Sequence, residues 1–80
     1  MNAHDVLGWL QGLLGGPFVF VLAGVRHHHC PEQKVVYVHV GDHIELSSTD
    51  PDTVRVVLAA LEQQQVNATE TNDRIRVEVS

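Results

Sequence analysis

The stretch P-F-V-F-V-L-A-G-V, from Pro17 to Val25, decides the fold, because it is the one segment that is apolar at alternate positions on both parities. Successive side chains of a β-strand point to opposite faces of the sheet, so Phe18 and Phe20 would face one way and Val19 the other. A strand that is apolar on both faces needs cover on both. We therefore predict a central strand here, with helices or a second subunit packed against each side.

Length and composition limit the chain to one small folded domain over residues 1–80. Hydrophobic residues make up 44% of the 80 residues and charged residues 19%, which is typical of a globular chain. A single core of this size contributes only about 3–5 kcal/mol of net stability. We therefore expect the chain to associate, in the simplest case as a homodimer.

Charge and cysteine content narrow the range of partners and locations. The formal net charge is −5, and the five Lys and Arg residues are spread along the chain, so we expect no nucleic-acid partner. The single cysteine, Cys30, excludes an intramolecular disulfide and fits a reducing compartment. From this we predict a cytoplasmic location.

The run from Val6 to Val25 raises a membrane alternative. It carries no charge, and its length is about that needed to span a bilayer. Gly15-Gly16-Pro17 interrupts the run, and its second half is rich in Val and Phe, which favours a helix followed by a strand. A small membrane-associated protein is therefore a further alternative that we do not favour.

Spacing and capping residues predict two helices. Asn2 can cap a helix over residues 3–14, in which apolar residues recur at helical intervals. Gly8 and Gly12 lie on one face of this helix, where another element could approach closely. The run from Ser47 to Asp52 combines capping residues, a proline and acids, which is typical of the start of a helix. The stripe of the second helix predicted to be buried is Val54, Val57, Leu58 and Leu61.

Three further strand segments complete the predicted fold. A polar loop from Arg26 to Gln33 would lead to a strand over residues 34–40, and a turn at Gly41-Asp42 to another over 43–46. We favour a three-residue turn there, because it would gather the aliphatic residues of both strands on one face. The last strand covers residues 74–79. A turn at Asn72-Asp73 precedes it, and residues 69–71 could form the other arm of a hairpin.

The predicted order is α-β-β-β-α-β, an α+β fold in which two helices cover an antiparallel meander. Its first five elements resemble the double-stranded-RNA-binding domain in topology. Such a domain needs basic residues at the start of its second helix, and this chain has Asp50-Pro51-Asp52 there. The resemblance is therefore one of element order, and it carries no RNA-binding residues over.

The tract His27-His28-His29-Cys30 is the main candidate for chemistry, because imidazole and thiolate are preferred ligands of zinc and copper. On extended backbone His27 and His29 could share a metal, whereas His28 would point away. Cys30 could join them if the chain turns at Pro31. Metal binding through His27, His29 and Cys30 is the alternative function, and a solvated polar loop without a cofactor is the interpretation that we prefer.

The sequence offers no signature of an enzyme. No acid is placed to orient a histidine base beside Cys30, and no glycine-rich phosphate loop is present. Candidate interaction residues are Trp9, at the border of the first apolar stripe, together with Tyr37 and Val21 on the apolar strands. Our leading prediction is a small non-enzymatic protein-interaction module, a homodimer that docks on a partner protein.

Overall fold

The computed structural model describes residues 2–15, 18–71 and 74–79. Within these ranges the order of elements is α-β-β-β-β-α-β-β, which confirms the predicted α+β class and adds strands to the predicted order. The elements are α1 (Ala3–Leu14), β1 (Phe18–Leu22), β2 (Val25–Cys30), β3 (Val35–Val40), β4 (His43–Ser48), α2 (Pro51–Gln63), β5 (Ala68–Thr71) and β6 (Arg74–Glu78).

The strands form one antiparallel sheet in the spatial order β1-β2-β3-β4-β6-β5. Both helices pack on one side of this sheet, here called the helix face, and their apolar residues join those of the sheet in a single cluster. The other side, here called the open face, is covered by no element of the described chain. The buried core residues are Val6, Leu10 and Leu14 of α1, Val54, Val57 and Leu61 of α2, and Cys30, Val35, Tyr37, Ile44, Leu46, Ile75 and Val77 of the sheet.

Both helices begin where their capping residues place them. The side chain of Asn2 accepts a hydrogen bond from the backbone N–H of Asp5 at 2.9 Å. The side chain of Asp50 accepts one from the N–H of Asp52 at 3.1 Å. Pro51, in the first turn of α2, has no N–H to leave unpaired. These contacts confirm the predicted start of each helix, and the predicted end of α1 is confirmed as well.

The prediction that residues 17–25 form one central strand is wrong. β1 ends at Leu22, and Ala23 and Gly24 form a two-residue turn with φ values of 53° and 77°. Positive φ at both central positions is the geometry of a type I′ turn, whose twist fits two antiparallel strands. β2 then runs back along β1 with Val25 opposite Leu22, so β1 is an edge strand.

The histidine tract lies in a strand and not in the predicted loop over residues 26–33. β2 includes all three histidines and ends at Cys30. The connection to β3 is the turn from Pro31 to Lys34, in which the N–H of Lys34 donates to the carbonyl of Pro31 at 3.3 Å. The additional strand also separates this fold from the α-β-β-β-α order of the RNA-binding domain.

The turn between β3 and β4 has two residues, and the three-residue turn that we favour from the sequence is wrong. Val40 pairs with His43 across Gly41-Asp42, so Tyr37 lies opposite Leu46. Tyr37 and Leu46 therefore share the helix face, where both are buried. The aliphatic side of β3 faces the open face, because the helices cover the side of the strand on which Tyr37 lies. The residues turned to the open face are Val36, Val38 and Val40.

Residues 69–71 do belong to a hairpin arm, because β5 pairs with β6 and Ala68 lies opposite Val77. The turn predicted at Asn72-Asp73 lies outside the described residues. At Gly8 and Gly12, both exposed on α1, no other element of the described chain has an atom within 4 Å of where a β-carbon would stand. The close approach predicted at these glycines is therefore not made within the described part of the chain.

The uncharged run from Val6 to Val25 is divided between two elements. α1 ends at Leu14, and β1 begins at Phe18. The two helices have 12 and 13 residues. Neither of these helices, the ones found in the described ranges, combines the length and the apolar character needed to cross a membrane.

The β1–β2 turn can be stabilised by one substitution. Ala23 has a positive φ of 53°, a conformation that is strained for alanine by roughly 1–2 kcal/mol. Asparagine adopts this conformation readily and is favoured before glycine in such turns. We therefore expect Ala23→Asn to raise the free energy of unfolding by about 0.5–1 kcal/mol, measured by urea unfolding at a fixed protein concentration.

The matched control is Ala59→Asn on the exposed side of α2. Asparagine is a poorer helix former than alanine, so this substitution should lower the free energy of unfolding by roughly 0.7 kcal/mol or less. A loss of stability in Ala23→Asn would show that the turn does not have this geometry.

Candidate interaction site

β1 is exposed along its whole length. Each of its five apolar side chains is exposed, and Phe18 and Val21 are 69% and 67% exposed. On the helix face Val19 and Val21 are 52% and 67% exposed, so the helices leave much of this side of the strand uncovered. No strand of the described chain pairs with its outer edge. β1 therefore presents two uncovered faces and one unpaired edge.

The backbone of β1 presents hydrogen-bonding groups to solvent at two residues. In a two-residue hairpin the pair that flanks the turn is hydrogen-bonded, and bonded and non-bonded pairs then alternate along the strands. The flanking pair here is Leu22 and Val25, so Leu22 and Phe20 direct their N–H and C=O groups toward β2. Val19 and Val21 direct theirs outward. Such a free row of groups is a template for another strand.

The open face extends the apolar surface of β1 across β2 and β3. Phe20 lies opposite His27, and their rings stack with centroids 5.1 Å apart and planes 14° from parallel. His27 in turn lies opposite Val38. We call this surface the apolar patch. Its members are Phe18, Phe20 and Leu22 of β1, Val25, His27 and His29 of β2, and Val36, Val38 and Val40 of β3.

Beyond β3 the open face is charged. His43 lies between two carboxylates, with Nδ1 3.3 Å from Asp42 Oδ1 and Nε2 3.2 Å from Glu45 Oε1. The hydrogen bond with His43 lowers the pKa of the exposed Asp42 carboxyl. Arg74 Nη1 lies 3.6 Å from Glu45 Oε2, and Arg76 Nη2 lies 3.8 Å from Asp42 Oδ1. Exposed ion pairs add little to stability, so this network marks the solvated side of the open face.

The predicted metal ligands are divided between the two faces of β2. His27 and His29 lie on the open face, whereas Cys30 is on the helix face and only 1% exposed. Burial raises the pKa of the Cys30 thiol, which disfavours the thiolate form that binds metals. Among the described residues no three His, Cys, Asp or Glu side chains are grouped to hold a metal ion. The structure therefore brings together two of the three predicted ligands.

His28 supports the fold from the helix face. It lies opposite Tyr37, and the two rings stack with centroids 4.7 Å apart and planes 6° from parallel. Burial lowers the pKa of His28, and the positive charges of Arg26 and His27 lower it further. Burial also raises the pKa of Tyr37. The stack therefore holds a neutral imidazole against a neutral phenol.

The three predicted interaction residues have different positions in the fold. Val21 is exposed in β1, and Trp9 is partly buried and packs against the core. Tyr37 is 1% exposed, so its side chain offers no contact surface in this fold. Phe18 and Phe20 belong with Val21 on the surface, although a central strand would bury both.

The sequence does contain a signal for this arrangement. Gly24 interrupts an otherwise continuous apolar run, and a glycine within a strand pattern often marks a bend. The four residues after Val25, from Arg26 to His29, are all polar, which is not the composition of a strand buried on both faces. With the turn placed at Ala23-Gly24, Phe18 and Phe20 become edge residues.

The lowered pKa of His28 predicts a loss of stability in acid. The unfolded chain binds a proton at this residue near the ordinary pKa of 6.5, whereas the folded chain binds it only at lower pH. The free energy of unfolding should therefore be highest above this pH and should fall as the pH decreases below it. His28→Phe keeps a ring on Tyr37 and should flatten the decline between about pH 7 and pH 5.

Urea unfolding at several pH values measures this decline. His4→Gln removes one exposed histidine from α1 and serves as the control, which should keep the wild-type slope. If His28→Phe keeps the full slope as well, the acid sensitivity has another source.

The chain matches no protein-family model, no curated protein sequence and no solved structure. Its function is therefore inferred from the placement of its own side chains. In that placement β1 is the feature that the core does not account for, because its five apolar side chains are all exposed. The apolar patch continues from β1 over β2 and β3, where most of its side chains are half-buried.

Proposed function

We propose that this chain is a small non-enzymatic protein-interaction module that binds a protein partner by strand addition at the outer edge of β1. The observation that supports this function is the coincidence, on one strand, of an unpaired edge and five exposed apolar side chains. Strand addition uses both features, because main-chain hydrogen bonds provide affinity and the side chains provide specificity.

The two edges of the sheet differ in a way that favours β1. Edge strands that avoid pairing carry charged side chains, proline or bulges. β5, at the opposite edge, carries Glu70 between Thr69 and Thr71. β1 has neither a charge nor a proline between Phe18 and Leu22. It therefore lacks the features that oppose pairing, as an edge used for binding must.

Covering β1 would release a large hydrophobic free energy. Full burial of one large aliphatic or aromatic side chain contributes about 1.5–3 kcal/mol. Association costs about 4–15 kcal/mol in lost translational and rotational freedom. Full burial of the five side chains of β1 would contribute about 7.5–15 kcal/mol, which covers most of this range, whereas two side chains would contribute at most about 6 kcal/mol.

Metal binding through the histidine tract is the competing function. It would use His27 and His29 with a further ligand from another molecule, because Cys30 lies on the other face. Two imidazoles alone form an incomplete zinc site, so we expect zinc or copper to leave the melting temperature unchanged. A stoichiometric ion that raises the melting temperature, with the effect lost in the double variant His27→Gln/His29→Gln, would favour metal binding instead.

A photoreactive phenylalanine analogue placed at position 21 should form a discrete covalent adduct with a partner protein in cells that express the chain. The reason is that Val21 lies on the exposed strand proposed to bind. The matched control is position 56, because Val56 on α2 is 66% exposed and Val21 is 67% exposed. Mass spectrometry identifies the adducts. Equal labelling from both positions, or no adduct from position 21, would contradict the proposed function.

A further inference from the structure

We infer that the partner of β1 is a second copy of this chain, paired antiparallel about a two-fold axis at Phe20. This inference rests on the proposed function, because it names the partner of the same edge. Two-fold association is the commonest arrangement of identical subunits and requires a self-complementary surface. β1 is self-complementary in its hydrogen-bonding groups, its side chains and its charge.

The hydrogen-bonding groups of the free edge match in this register. Val19 and Val21 carry the outward N–H and C=O groups, as the pairing of β1 with β2 requires. With the axis at Phe20, Val19 of each copy lies opposite Val21 of the other. Each of these pairs exchanges two hydrogen bonds, so every outward group between Phe18 and Leu22 finds a partner.

Other two-fold registers satisfy fewer of these groups. An axis at Val21 would set Val19 opposite Ala23, which the turn holds at a φ of 53°. An axis at Val19 would set Val21 opposite Pro17, which has no N–H to donate. A shift by one residue would set outward groups against groups that already bond to β2. The axis at Phe20 is therefore the register in which the strand is fully paired.

The same register pairs apolar side chains on both faces. On the open face the Phe20 side chains of the two copies lie opposite each other as a non-hydrogen-bonded pair, the closer of the two pair types. Phe18 of each copy lies opposite Leu22 of the other. On the helix face Val19 lies opposite Val21. Such cross-strand aromatic and β-branched pairs stabilise antiparallel sheets, and they make the apolar patch continuous across both copies.

Charge does not oppose this contact, although each chain has a formal net charge of −5. β1 has no ionisable residue, and the adjacent strand contributes Arg26 and the histidines. The acids Asp42 and Glu45 of the open face lie beyond β3. At about 4.8 Å per strand they lie roughly 14 Å from β1, which exceeds the screening length of about 8 Å in physiological salt.

A proline at position 21 tests the backbone pairing. The N–H of Val21 points away from β2, so Val21→Pro removes an outward donor and leaves the β1–β2 bonds intact. Sedimentation should show a wild-type dimer at micromolar concentration and a dissociation constant raised roughly tenfold or more in this variant. Circular dichroism checks that the variant keeps its fold.

A matched pair of lysine variants tests the location of the contact. Val21→Lys and Val56→Lys add the same charge at sites of nearly equal exposure. The variant in β1 should dissociate the dimer, because each added charge would lie opposite Val19 of the other copy in place of an apolar pair. The variant in α2 should sediment like the wild type. Dissociation by both variants to the same degree would place the contact elsewhere or make it non-specific.

Cysteine cross-linking tests the register. In the proposed dimer the two Phe20 positions lie directly opposite, so Phe20→Cys should form a disulfide between chains under mild oxidation. The two Val19 positions lie more than about 7 Å apart, which is too far for a disulfide, so Val19→Cys should remain reduced. The buried Cys30 is kept in both variants, and the wild type shows how much disulfide it forms by itself.

A wild-type chain that remains monomeric at micromolar concentration overturns the inference, and so does a disulfide formed by Val19→Cys in place of Phe20→Cys. The proposed function is tested separately by the photoadduct from position 21. An adduct with a different protein would support that function and overturn the homodimer. An adduct of twice the mass of the chain, together with a disulfide between two Phe20→Cys chains, supports both the proposed function and the homodimer.

Discussion

The whole fold depends on how many strands two helices can cover, and the widths of helices and strands set that number. A helix with its side chains is about 10–12 Å across and strands lie about 4.8 Å apart, so two helices cover about four strands. The buried side chains of the sheet come from four strands, β2, β3, β4 and β6. β1 and β5 are the outer strands, and neither contributes a buried side chain. The exposure of β1 therefore follows from the number of helices.

The two outer strands of the sheet differ in their side chains. The side chains of β5 are mostly polar, with Glu70 at the centre of the strand, whereas β1 is aliphatic and aromatic throughout. An apolar edge strand that is left in water is a site for aggregation, because its free N–H and C=O groups and its side chains both favour pairing. Pairing in a defined register removes this hazard. The pairing of β1 with β2 in the hairpin determines which backbone groups of β1 remain free to pair with another strand.

Local features of the sequence predict the helices well, because their ends are set by neighbouring residues. Asn2 and Asp50 cap the two helices through contacts within three residues. The β1–β2 turn is not predicted from neighbouring residues, because Ala23-Gly24 lies in an apolar run and Ala is uncommon where φ is positive. The face on which Tyr37 lies is also not a local property. It depends on which side of the sheet the helices cover, which the period of two along a strand does not determine.

The candidate site could be predicted only in part, because its position in the sheet is not a local property of the sequence. A strand apolar on both faces can be recognised from residues 17–25, and the need for a second covering layer follows from it. Its place at the edge depends on the turn at Ala23-Gly24, and without that turn the apolar pattern assigns Phe18 and Phe20 to the interior. The histidine tract shows the limit of composition, because composition suggests a ligand set while strand geometry separates Cys30 from His27 and His29.

Hydrogen exchange of three backbone amides in β1 tests edge pairing most directly. The amide of Phe20 bonds to β2 within one chain, whereas the amides of Val19 and Val21 need a second strand. NMR at two chain concentrations should show Phe20 protected at both, and Val19 and Val21 protected at the higher concentration but exchanging rapidly on dilution. Rapid exchange of Val19 and Val21 at every concentration, with Phe20 still protected, would contradict the pairing of β1 with a second copy.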